Sequence, residues 1–150
     1  YEEAVASYDR AIGIDPKDVN IWIRKGDVLA NDLERYSEAL RAYDKALEIA
    51  PNNADIWMNK ADALSNLYLD DEAQLAYEEA LRIYDKELET DSNNARIWMR
   101  KGDVLHRLGK NDDAIQAYDK AIALNPQNEV NQSMVNATKT IMEVMESIEA

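Results

Sequence analysis

This 150-residue chain carries three copies of one octapeptide pattern. Trp22-Ile23-Arg24-Lys25-Gly26-Asp27-Val28-Leu29 is answered by Trp57-Met58-Asn59-Lys60-Ala61-Asp62-Ala63-Leu64 and by Trp98-Met99-Arg100-Lys101-Gly102-Asp103-Val104-Leu105. Downstream of each lies a second recurring block, clearest at Ala114, Tyr118, Ala121 and Pro126. Self-similarity on this scale restricts the fold sharply. Each copy is one small unit that cannot bury its apolar face alone, so copies must stack.

Within a copy the spacing is helical. Trp98, Gly102 and Leu105 fall on one face of a first helix, and Ala114, Tyr118 and Ala121 on one face of a second. A polar turn at Gly109-Lys110-Asn111 separates them. The small residues let the two axes approach, and the Trp and Tyr rings fill the remaining space. Pro126 has no N–H to donate and predicts the end of the second helix.

These columns resemble the tetratricopeptide repeat, with its Trp, its small residue, its later Ala and aromatic, and its late Pro. Lys101 stands in the family's Leu place and Leu105 in its Tyr place; Ala114, Tyr118, Ala121 and Pro126 fit directly. The resemblance implies an all-α fold, an α-solenoid of antiparallel helix pairs forming a right-handed superhelix. It also implies a concave groove, lined by the first helices, that holds an extended peptide or a partner helix.

In chain order, residues 1–150 are expected to form a single domain. Residues 1–18 read as the second helix of a half repeat, since Tyr8, Ala11 and Pro16 match Tyr43, Ala46 and Pro51. Its partner helix is missing from the pattern, which predicts an uncovered apolar side. Residues 19–53 form a full repeat. Trp57 follows Trp22 by 35 positions, one more than the family's roughly 34, and the extra residue is expected in the turn at 31–35. Residues 54–94 hold a longer repeat, because Trp98 follows Trp57 by 41 positions. The excess comes from a doubled heptad, Tyr77 to Ile83 and Tyr84 to Thr90. A single lengthened helix over about 70–90 is predicted, its phase nearly preserved by a seven-residue insertion. Residues 95–128 are regular. A C-terminal amphipathic capping helix is expected over 129–150, with Asn128 as its cap and an apolar stripe at Val130, Met134, Ala137, Ile141, Val144 and Ile148.

Composition narrows the function. With no cysteine, thiolate chemistry and disulfides are excluded, and a reducing compartment, the cytoplasm, is expected. A net charge of -13 makes nucleic acid a poor partner. No apolar run spans a bilayer, so no membrane role is expected. His106 is the only histidine and reads as a surface residue; no phosphate-binding glycine loop occurs. The acidic groups at 70–72 and 112–113 sit where helices begin and compensate the helix dipole. The chain is therefore read as non-enzymatic, with no cofactor and no metal.

What remains is recognition of a protein or peptide segment. The expected groove columns are Asn20, Asp55 and Arg96; Ile23, Met58 and Met99; Arg24, Asn59 and Arg100; and Asp27, Asp62 and Asp103. The tryptophans are expected to be largely buried. Arg96, Arg100, Lys101 and Arg107 make the third first-helix basic, which suits an acidic or carboxylate-bearing segment. Chaperone-binding members of the family clamp a terminal carboxylate with a Lys and an Asn on one first helix, an Asn on the next and two basic residues on the third. Asn59, Arg96 and Arg100 match that clamp, but Ile23 and Asp27 replace its first Lys and Asn, so a standard clamp is not expected. Two other readings stay open: self-assembly as a homo-oligomer through the chain ends, and a docking domain of a longer enzyme.

Overall fold

The computed structural model describes residues 1–126 and 129–149, except for the side chains of Glu129, Val130, Asn131, Met134 and Glu149. The cap expected at Asn128 and the stripe positions Val130 and Met134 lie outside the described side chains. The described residues form helices α1 (Glu2–Ile14), α2 (Val19–Asp27), α3 (Tyr36–Ile49), α4 (Ala54–Asn66), α5 (Asp70–Thr90), α6 (Ala95–Arg107), α7 (Asn111–Leu124) and α8 (Glu129–Glu149). No strand occurs among them. The fold is a tetratricopeptide-like α-solenoid built from helix pairs.

Two compact units divide the chain, residues 1–80 and 81–150. In the first, Leu29, Ala39, Tyr43, Ala46 and Ile56 make the buried centre, with Trp22, Tyr36 and Trp57 packed at its margin. In the second, Leu105, Ala114, Ala117, Tyr118 and Val135 are buried against Trp98 and Ile122. Alanine is the commonest buried residue in both, which lets the helix axes approach closely.

First helices and second helices start differently. Asp18, Asn53 and Asn94 cap α2, α4 and α6 by accepting hydrogen bonds from Asn20 N, Ile56 N and Ile97 N. Helices α1, α3 and α7 carry no side-chain cap. Acidic side chains occupy the first turns of α5 and α7, at Asp70, Asp71 and Glu72 and at Asp112 and Asp113, where they face the helix dipole.

The extra residue of the first full repeat lies just before the turn. Helix α2 runs into a π-helical turn at Val28–Asp32. Leu33 N bonds back to Val28 O at 3.2 Å, and Arg35 N to Leu29 O at 2.7 Å. Widening the last turn absorbs the insertion while Leu29 stays fully buried.

Helix α5 covers 70–90 as one element of 21 residues, against 13 or 14 for α3, α4, α6 and α7. It ends without a proline. Asp91 N bonds to Glu87 O, and Asn94 Nδ2 to Asp91 Oδ2, so an Asp-Ser-Asn-Asn turn does what Pro16 and Pro51 do elsewhere.

Helix α8 corrects the later part of the expected stripe, from Ala137 on. Among its described side chains Val135 and Thr138 are the buried ones, while Ala137, Ile141, Val144 and Ile148 are exposed. The helix packs on α7, and the neighbouring register contributes the buried Val135 and Thr138. Its sequence carries apolar residues over more than half its circumference, so periodicity alone does not single out the register of Val135 and Thr138.

Candidate functional site

Each first helix has two faces with different work. The packing face carries a repeated clasp. The Trp22 indole N–H donates to Pro16 O at 2.9 Å, Trp57 to Pro51 O at 2.9 Å and Trp98 to Ser92 O at 2.8 Å. Three residues later a lysine lies over that ring, Lys25, Lys60 and Lys101 at 5.8, 5.3 and 5.2 Å from the centroids. The same ammonium groups reach the preceding second helix, at Asp9 (2.5 Å), Asp44 (2.7 Å) and Asp85 (2.7 Å). The tryptophans are thus half-buried rather than fully enclosed. A lysine in the family's Leu place explains this: its stem covers the ring and its head must stay near water.

The aspartate column expected in the groove is spent on the fold. Tyr43 Oη donates to Asp27 Oδ1 at 2.9 Å and Tyr118 Oη to Asp103 Oδ1 at 3.0 Å; Tyr77 Oη makes the same bond to Asp62. Burial, reinforced by these carboxylates, pushes the Tyr43 and Tyr118 hydroxyls well above the ordinary tyrosine range. Burial also raises Asp27, against the opposing pull of the Tyr43 and Asn59 hydrogen bonds and of Arg24. Asn59 Nδ2 donates to Asp27 Oδ1 at 3.0 Å, tying α4 to α2. The one-residue offset between these tyrosines and the clasp aspartates shows what the doubled heptad does. In α3, Tyr43 serves its own hairpin and Asp44 the next. In α5 those duties are separated: Tyr77 bonds Asp62, and Asp85, from the second heptad, bonds Lys101.

The other expected positions lie as follows. In the first unit Asn20 and Arg24 are exposed, Ile23, Asp55 and Asn59 are half-buried, and Met58 is buried. In the second unit Arg96 is exposed, while Met99 and Arg100 are half-buried, with Arg100 Nη1 3.7 Å from Asp103 Oδ2. Lys101 leaves the basic group for the opposite face. His106 is half-buried, its Nδ1 3.2 Å from Asn111 Oδ1. No group of three His, Asp or Glu residues placed for a metal occurs among the described residues.

Two clefts on the packing side escaped the sequence reading. In the first unit a cleft of about 600 Å³ has Trp57, Lys60 and Leu64 as its floor, Leu40 and Asp44 on one wall, and Glu72, Leu75, Ala76 and Glu79 on the other. In the second unit the matching registers, Trp98, Lys101 and Leu105 with Leu81, Asp85, Asp113, Gln116, Ala117 and Lys120, line a cleft of about 720 Å³. Their walls are set by the distance between successive second helices, which no single helical pattern reveals.

Sequence models described as tetratricopeptide repeat match residues 95–128, and 1–18 with 54–87; a further one, described as TPR repeat, matches 31–67. Together they span well over half of the chain. It belongs to the tetratricopeptide repeat family. No curated protein matches the sequence. Among solved structures, MamA 41-end from Desulfovibrio magneticus RS-1 is 20% identical at a TM-score of 0.64, over 97% of this chain and 78% of that one. The Sgt2 TPR domain from Aspergillus fumigatus is 23% identical at 0.59, covering 87% and 82%. The first TPR of Spaghetti (RPAP3), bound to the HSP90 peptide SRMEEVD, is 19% identical at 0.57, covering 86% and 96%. At such identities these likenesses establish the tetratricopeptide fold.

Proposed function

We propose that this chain is a non-catalytic interaction module that holds a peptide or a partner helix on the faces of its first helices opposite the Trp–Lys–Asp clasps. The observation behind it is the division of labour on those helices. Packing consumes the tryptophan, lysine and small-residue registers, and the aspartates hold the tyrosines. Asn20, Ile23 and Arg24 on α2, Asp55 and Asn59 on α4, and Arg96, Met99 and Arg100 on α6 are the side chains through which a partner is read. The family and its peptide-bound member point the same way.

Arg96 and Arg100 favour an acidic segment, steered by charge. The carboxylate-clamp mode is disfavoured, because Asp27 stands where the clamp needs a neutral amide and already engages Asn59. A peptide array of acidic and basic segments tests this. Acidic peptides are expected to bind, and Arg96→Ala with Arg100→Ala to weaken them about tenfold or more; unchanged binding removes the reading. The cysteine-free sequence suits the reducing cytoplasm, and no helix among the described residues is long and apolar enough to cross a membrane.

Self-assembly is the second reading. Ile141, Val144, Met145 and Ile148 are 43, 53, 49 and 77% exposed along one side of α8. A stripe of that kind pairs with a second copy in an isologous contact. Light scattering tests it: a mass fixed at 17.1 kDa across concentration sinks self-assembly.

A further inference from the structure

The cleft of the first unit differs from its counterparts in two registers. Two positions before each repeat tyrosine stand Ala6, Arg41 and Gln116, but Leu75 in α5. Two positions after it stand Arg10, Lys45 and Lys120, but Glu79 in α5. Even the second heptad of α5 returns to the pattern, with Arg82 and Lys86 flanking Tyr84. The exception is therefore confined to the wall of one cleft. There Leu75 is 67% exposed beside Leu40, Trp57 and Leu64. Glu72 and Glu79 bracket it one turn away on either side, on the same helical face.

We propose that this cleft is a docking site for a partner segment carrying a large apolar side chain between cationic ones. The apolar anchor covers Leu75 and the Leu40–Trp57–Leu64 floor. The flanking cations meet Glu72 and Glu79, on a wall where the matching register of the other second helices holds Arg10, Lys45 and Lys120 in place of Glu79; Lys60 in the floor is bonded to Asp44 at 2.7 Å. Charge complementarity chooses this occupant over an acidic segment. It also chooses it over the exposed stripe of α8 in a second copy, which carries Glu143 and Glu146. The site lies on the face of α4 opposite Asp55 and Asn59. Arg96 and Arg100 take no part, so this proposal and the preceding one fail separately.

The test uses fluorescein-labelled peptides of sequence GKKLLKKG, GKKSSKKG and GEELLEEG, read by anisotropy at about 150 mM salt, where long-range attraction to an acidic protein is screened. The first peptide is expected to bind and the other two to fail. Leu75→Gln, which leaves the charge unchanged and installs the second unit's residue, is expected to weaken binding about tenfold, the scale of one buried leucine. Leu75→Met retains it, and Glu72→Gln with Glu79→Gln weakens it. Leu75 is mostly exposed, so Leu75→Gln keeps the helical circular dichroism. Equal binding by wild type and Leu75→Gln overturns the proposal, as does no binding of GKKLLKKG. A wild-type oligomer that Leu75→Gln reduces to monomer also overturns it, naming a second copy as the occupant.

Discussion

The Tyr118 hydroxyl donates to the Asp103 carboxylate at 3.0 Å while the Tyr118 ring lies against the bare Cα of Gly102. One side chain thus reads two adjacent residues of the facing helix, a small one by contact and an acidic one by hydrogen bond. Tyr43 repeats the arrangement on Gly26 and Asp27.

This pairing sets an alkaline limit on stability. Folding holds Tyr43 and Tyr118 protonated well above the ordinary tyrosine value of about 10. Above that pH the unfolded chain releases those protons and the folded chain keeps them, so stability falls as pH rises, by about 1.4 kcal/mol per unit for each tyrosine. Below it their contribution is complete. Urea titrations from pH 8 to 11 should show this fall, and Tyr43→Phe or Tyr118→Phe should flatten it. Each substitution should itself cost about 1 kcal/mol at neutral pH.

Gly102→Ala is expected to destabilise by about 1–3 kcal/mol. Alanine's helix preference is worth about 1 kcal/mol in its favour, but a Cβ there meets the Tyr118 ring, which the Asp103 bond holds in place. Gly13→Ala is the control: a Cβ there meets nothing within 4 Å, so it should stabilise by up to about 1 kcal/mol. Urea midpoints compare the two directly.

Asp27→Asn should raise the melting temperature at pH 7. Burial holds the Asp27 carboxyl above its usual range, so between its unfolded and folded pKa the unfolded chain loses the proton first. Stability from this group is thus complete below the unfolded value and is lost as pH rises through the folded one. An amide keeps an oxygen for Tyr43 Oη and Asn59 Nδ2 and carries no charge to bury. The advantage should vanish at about pH 3 and below, where aspartate is protonated in both states; calorimetry at both pH values checks it.

Tyr68→Gly should stabilise by about 1 kcal/mol. Tyr68 sits at φ +60° with 89% of its surface exposed, a left-handed conformation that costs a side-chain-bearing residue about 1–2 kcal/mol. Glycine's greater freedom in the unfolded chain returns part of that gain. Gly109, at φ +73° in the second unit's turn, already shows the better choice. Thermal melts of the single variant suffice.

The repeating columns determined the helices, their pairing, the family and even the span of α5, because side-chain periodicity within one helix is a local property of sequence. They also placed the Trp, Tyr and small-residue registers correctly as packing positions. What they left open was which partner each polar side chain would meet. The Asp27, Asp62 and Asp103 column lies in the same register as a groove surface, and only the approach of the neighbouring helix turned it toward tyrosine. The π-helical widening at Val28–Asp32 and the burial of Val135 and Thr138 in α8 were likewise set by the surface each helix had to fit. The cleft around Leu75 belongs to this second kind. Its walls come from three helices, and the width between them is a consequence of packing that no single stretch of sequence encodes.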